Sequence, residues 1–106
     1  MQFQFNSDNR IEGDAAVAER VETLVRDRLE RVSDRLTRVE VHVGDVNGPK
    51  GGNDIRCAVE LRPTGMNPVS GTNEASNLEA AVSSATDKAL SAFDRQIGKQ
   101  TTRKGH

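Results

Sequence analysis

The stretch RLTRVEVHV, residues 35–43, decides the fold, because the apolar period changes within it. Before it, Val17, Val21, Leu24, Val25, Leu29, Val32 and Leu36 recur at three- and four-residue spacing, one face of an amphipathic helix. From Arg38 to Val46 the side chains alternate instead. Val39, Val41 and Val43 face one way, and Glu40 and His42 the other, the pattern of a half-buried strand. A helix of about twenty residues, about 30 Å long, therefore runs directly into a strand. Asp14 is the expected N-cap of that helix.

Working outward, residues 2–6 (QFQFN) alternate too, with Phe3 and Phe5 on one face. Residues 45–54 (DVNGPKGGND) read as a loop, and 55–62 as a strand with Ile55, Cys57, Val59 and Leu61 inward. Pro63-Thr64-Gly65 is a turn, and 66–73 (MNPVSGTN) a weak strand. Pro68 has no N–H to give a ladder, which pushes that strand to a sheet edge. Ser76-Asn77-Leu78-Glu79 reads as a capping box opening a second helix. Its apolar stripe is Leu78, Ala81, Val82, Ala85, Ala89, Phe93 and Ile97, and Gly98 is expected to end or loosen it.

The order is β-α-β-β-β-α. A right-handed crossover makes the first two strands parallel, and the next two connections are hairpins. The expected fold is α+β: a two-layer sandwich in which two helices cover one face of a four-stranded mixed sheet. The other face then carries Gln2, Gln4, Glu40, His42, Arg56, Glu60 and Arg62. One domain, residues 1–98, is expected, with 99–106 as a flexible basic tail.

Composition excludes several function classes. A chain of 106 residues buries roughly 60–65% of its unfolded surface, enough for one modest core. Aromatic residues are 3%, with no Trp or Tyr, so no platform of stacked rings can read bases. The single cysteine, Cys57, excludes an internal disulfide framework and a cysteine-based zinc site. No signal peptide is visible at Met1, and the longest apolar run is 15–18, too short to span a membrane. A cytoplasmic, monomeric protein with no membrane contact and no small-molecule substrate is expected.

Net charge is −1, but its distribution is uneven. Residues 1–87 hold ten basic and fifteen acidic side chains; residues 88–106 hold five basic and one acidic, Asp94. Residues 20–38 contribute six arginines. Arg28, Arg31 and Arg35 fall on one stripe of a continuous helix, as do Lys88, Arg95 and Lys99 on the last helix. Arg103 and Lys104 extend the basic end. Such stripes are a footprint for phosphates. The competing reading is ion pairing on the first helix, at the Asp27–Arg31 and Asp34–Arg38 spacings.

Catalytic and metal chemistry find little support. His42 reads as a surface histidine and Cys57 as a core residue. The loop around Lys50 lacks the spacing of a P-loop and opens into no helix. No catalytic residue, metal or cofactor is expected.

Several segments together resemble one family. They are the opening MQFQFNSDN (1–9), RLTRVEVHV (35–43), KGGNDIRC (50–57), NLEAAV (77–82), Asp87-Lys88 and Asp94-Arg95-Gln96-Ile97. In order and spacing they resemble the ribosome hibernation-promoting factors, also called ribosome-associated translation inhibitors or sigma-factor modulation proteins, in a short form. Residues 89–93 stand between two basic segments that are almost contiguous in the family, about one extra helical turn.

The resemblance implies the same β-α-β-β-β-α order, a double-stranded-RNA-binding-domain-like sandwich, and no enzyme activity. It implies a translation inhibitor bound to rRNA of the small ribosomal subunit near the decoding region, in stress or stationary phase. It also implies phosphate contacts from Arg28, Arg31, Lys88, Arg95 and Lys99. The alternative expectation is a non-catalytic protein-interaction module using the acidic surface or the edge strand 66–73.

Overall fold

The structure, a computed structural model, describes residues 1–8, 15–46 and 54–104, with side chains as far as Lys99. Its elements are β1 (Gln2–Ser7), α1 (Ala15–Arg28), a 3-10 helix (Glu30–Arg35), β2 (Leu36–Asp45), β3 (Ile55–Pro63), β4 (Val69–Ala75) and α2 (Leu78–Lys104). The four strands form one sheet in the order β1-β2-β3-β4. β1 and β2 are parallel, pairing Phe3 with Val39 and Phe5 with Val41. β2–β3 and β3–β4 are antiparallel, pairing Val41 with Val59 and Val59 with Gly71. This is the mixed-sheet α+β sandwich that the alternating and helical periods predict.

One core fills the space between sheet and helices. Val39, Val41, Val43, Cys57, Val59 and Leu61 come from β2 and β3, and Val21, Val25 and Leu29 from the first helical segment. Ala81, Val82, Ala85, Ala89 and Phe93 come from α2. Thr86 is the one buried polar residue named with this core, and its hydroxyl donates to the Val82 carbonyl at 2.7 Å. Phe3 and Phe5 pack against the core but stay half-buried, because β1 is an edge strand.

The closest approach of the two layers is at Gly71. A Cβ there would lie 2.4 Å from the Ala85 carbonyl oxygen, 2.4 Å from Ala89 N and 2.7 Å from Lys88 Cβ. Only a bare glycine under a stripe of alanines lets α2 lie this low on β4.

Four expectations need correction. The first helix is not one continuous α-helix to Leu36: the last i−4 bond of the α-helix is Leu29 N–H to Val25 O, 3.0 Å. The Val32 N–H then bonds Leu29 O, and the Ser33 hydroxyl takes the Glu30 carbonyl at 3.1 Å, so the chain tightens to 3-10 geometry. Second, Asn77 rather than Ser76 caps α2, accepting the Ala80 N–H at 2.8 Å. Third, Gly98 does not end α2, which runs on to Lys104. One glycine costs a helix about 1 kcal/mol, too little to break one already five turns long. Fourth, β4 is Val69–Ala75 rather than 66–73, since it cannot pair until past Pro68. The Asp14 cap and most of the 45–54 loop lie outside the described residues.

Two outcomes follow from the packing. Gly71→Ala lowers stability by about 3 kcal/mol, while Gly98→Ala, which meets nothing within 4 Å, raises it by about 0.5–1 kcal/mol; thermal melts of both variants check this. Burial pushes the Cys57 thiol from 9.0 up to about 12. The thiol is neutral in both states below about pH 9, and between there and about 12 it ionises only in the unfolded chain. Stability therefore falls with rising pH in that window, and Cys57→Ala flattens this part of a melting-temperature profile.

Candidate nucleic-acid interface

On the sheet's outer face, Arg38, His42 and Arg62 gather around Glu40 and Glu60. Glu40, its side chain 16% exposed, has Oε2 2.9 Å from Arg38 Nε and 3.5 Å from Arg62 Nη2, and Oε1 3.5 Å from His42 Nε2. Arg38 Nε makes an ion-pair contact there without the in-line geometry of a hydrogen bond. Arg38 also donates to the Gln4 amide oxygen. Arg62 donates to Glu60 at 2.9 Å, and this hydrogen bond and charge raise its affinity for the proton further. Like charges stand directly opposite, Arg38 across from Arg62 and Glu40 from Glu60, so the pairs form along each strand and on the diagonal.

The helical side is built differently. Segments 28–35 and 87–99 carry six basic side chains and four acidic ones. Arg28, the last residue of α1, donates from Nη1 to both carboxylate oxygens of Asp87, at 2.8 and 2.9 Å. Arg31, in the 3-10 helix, donates from Nη2 to Asp94 at 2.6 Å. Lys88 Nζ reaches β4, donating to Thr72 O at 3.2 Å and Asn73 Oδ1 at 2.9 Å. Beside it, Ser70, Thr72, Asp87, Lys88, Ser91 and Arg95 line a notch of about 520 Å³ between β4 and α2.

Arg28, Asp87, Lys88 and Arg95 are thus one contiguous group, with Arg31 and Asp94 beside it. Arg95 and Lys99 are exposed on α2, and Arg35 is exposed at the end of the 3-10 helix. None of these three has an acidic partner within 4 Å among the described residues. The Arg35 carbonyl accepts the Thr64 N–H at 2.9 Å, which ties that segment to the β3–β4 turn.

Two sequence expectations change here. Arg28, Arg31 and Arg35 do not share one α-helical stripe, because the α-helix stops at Arg28. Arg31 pairs with Asp94 rather than Asp27, and Arg38 with Glu40 rather than Asp34. Asp87 and Asp94 are the partners of Arg28 and Arg31 that sequence spacing did not bring out. Their seven-residue separation, each followed by a base (Asp87-Lys88, Asp94-Arg95), was the available signal. Arg103 and Lys104 continue the α2 backbone, but their side chains lie outside the described residues. Among the described residues no group of three His, Cys, Asp or Glu could hold a metal ion, and no helix is long and apolar enough to cross a membrane.

The fold is thus a small mixed-sheet sandwich whose helical side carries a cluster of basic side chains. The chain belongs to the sigma 54 modulation protein / S30EA ribosomal protein family, whose pattern matches residues 5–104. This is a family of ribosome-associated subunit-interface proteins. The fold is similar to the Protein Y N-terminal domain of Thermus thermophilus, with TM-score 0.71 and 22% identity over 90% of this chain and 98% of that one. It is also similar to a ribosomal subunit interface protein from Coxiella burnetii, with TM-score 0.65 and 14% identity over 96% and 99%. No curated protein matches it in sequence.

The cross-helix pairs are exposed, with side chains 38% and 57% accessible in one and 59% and 48% in the other. Such pairs contribute about 0–1 kcal/mol. Arg28→Gln and Asp87→Asn are therefore each expected to change unfolding free energy by less than about 1 kcal/mol in urea titrations.

Proposed function

We propose that the chain binds the small ribosomal subunit at the decoding region and holds translation idle by occupying the space of tRNA and mRNA. It acts by steric exclusion and phosphate contacts rather than by catalysis, as a monomer, in the cytoplasm. One observation carries the reading: family membership coincides with a contiguous basic group on the helical side, while Arg38 and Arg62 of the sheet's outer face are taken up by Glu40 and Glu60.

The contacts run to phosphate and ribose rather than to stacked bases, since the aromatic content is only three Phe residues and those described pack on the core. Arg28, Arg31, Arg35, Lys88, Arg95 and Lys99 supply them, with Arg103 and Lys104 extending the basic end. Arg35, Arg95 and Lys99 bind most readily because they have no acid to leave. Lys88 contributes by letting go of the Thr72 carbonyl.

Co-sedimentation with purified small subunits across a salt series tests this. If about five phosphates are neutralised, the logarithm of affinity falls with that of salt with a slope of about −3.5 to −4.5. The triple reversal of Lys88, Arg95 and Lys99 to glutamate abolishes pelleting. Pelleting that is indifferent to salt and to the reversal overturns the reading and turns attention to a partner strand at the β4 edge.

A further inference from the structure

We propose that Asp87 and Asp94 are built-in counterions of this interface, so that a nucleic-acid phosphate binds Arg28 and Arg31 by displacing a carboxylate. The inference rests on the phosphate-binding reading of the helical side.

Asp87 offers both its oxygens to one nitrogen of Arg28, and Asp94 offers one oxygen to one nitrogen of Arg31. A phosphodiester presents the same chemistry to a guanidinium: two acceptor oxygens sharing one negative charge. Each contact engages a single guanidinium nitrogen, leaving other N–H groups of the fork to meet an incoming phosphate before the carboxylate leaves. The pairs join residues 59 and 63 positions apart, so the fold itself brings them together. Their exposure keeps them weak, which makes the exchange accessible. The acids sit seven residues apart on α2, two turns, and each is followed by a base that also faces the interface, Lys88 and Arg95.

Exchange has a thermodynamic signature that simple pairing lacks. Neutralising a phosphate releases about 0.7–0.9 of a condensed cation. When the arginine comes from a carboxylate, the bared carboxylate attracts a cation in return. Arg28 and Arg31 then add little to the salt dependence of binding, although both touch phosphate. The acids hold affinity down without removing a single contact.

The experiment uses the full chain with Asp87→Asn and Asp94→Asn, singly and together. Asparagine keeps the shape and an acceptor oxygen but removes the charge. Binding to purified small ribosomal subunits and to a blunt RNA duplex is measured across a potassium chloride series. A charge-matched control carries Glu19→Gln and Glu74→Gln, away from the interface; melting curves establish that all variants fold. The aspartate pair is expected to bind both RNAs more tightly, with a salt slope steeper by about 1.5, while the control leaves the slope unchanged. If the wild type binds with its ordinary salt dependence and the aspartate pair leaves the slope unchanged, or weakens binding, the exchange is overturned and the phosphate reading stands. If neither wild type nor variants bind either RNA, both fall.

Discussion

The approach of α2 to β4 at Gly71 is the constraint on which the helical side depends. The carbonyl of Ala85 and the amide of Ala89 occupy the volume that any side chain at 71 would need. Seated this low, α2 places Ala81, Ala85 and Ala89 wholly inside the core without a void. The same seating delivers the next residues of each turn to their partners. Lys88 meets the carbonyl of Thr72, Asp87 meets Arg28, and one and two turns on Ser91 and Arg95 close a notch against Ser70. A backbone contact of atomic tightness thus sets the geometry of charges that are themselves loosely held.

A chain of net charge −1 is an unpromising ligand for RNA if charge is averaged over its surface. Charge is not spread evenly over the structure. On the sheet face Glu40 is shared by Arg38, Arg62 and His42, and Glu60 holds Arg62 as well. On the helical side the pairs are single and wet, and Arg95, Lys99 and Arg35 are not in one. On the sheet, pairs form between residues two apart on one strand and across the diagonal around Glu40, although like charges stand directly opposite; on the helical side each pair is separate.

Most of the fold was legible because it is written in local periods. The switch from a 3.6 to a 2.0 period around 35–43 placed a helix against a strand, and alternation in 55–62 placed the next one in antiparallel register. What escaped is decided by tertiary geometry or by close competitors. Residues 30–35 keep the helical spacing of Val32 and Leu36, yet Ser33 diverts a carbonyl and the turns tighten. Ser76 and Asn77 are equally good caps by residue type, and only the entry angle of the chain chooses between them. The basic residues of the interface were readable as a set. Their acidic partners were not, because Asp87 and Asp94 find Arg28 and Arg31 through the packing of two segments some sixty residues apart, which no spacing rule contains.

Among the described residues Phe93 is the last fully buried side chain of α2, and Ile97 is half-buried beyond it. The helix nevertheless continues for eleven residues, to Lys104. In the second part of the helix, past Phe93, Ile97 still packs against the core and Gln96 Nε2 donates to the Asn67 carbonyl at 2.9 Å, while Arg95, Gly98 and Lys99 are exposed. Arg95, Lys99, Arg103 and Lys104 all fall in the second part. Charge at the exposed positions 95 and 99 can therefore be added, removed or reversed with little consequence for whether the chain folds.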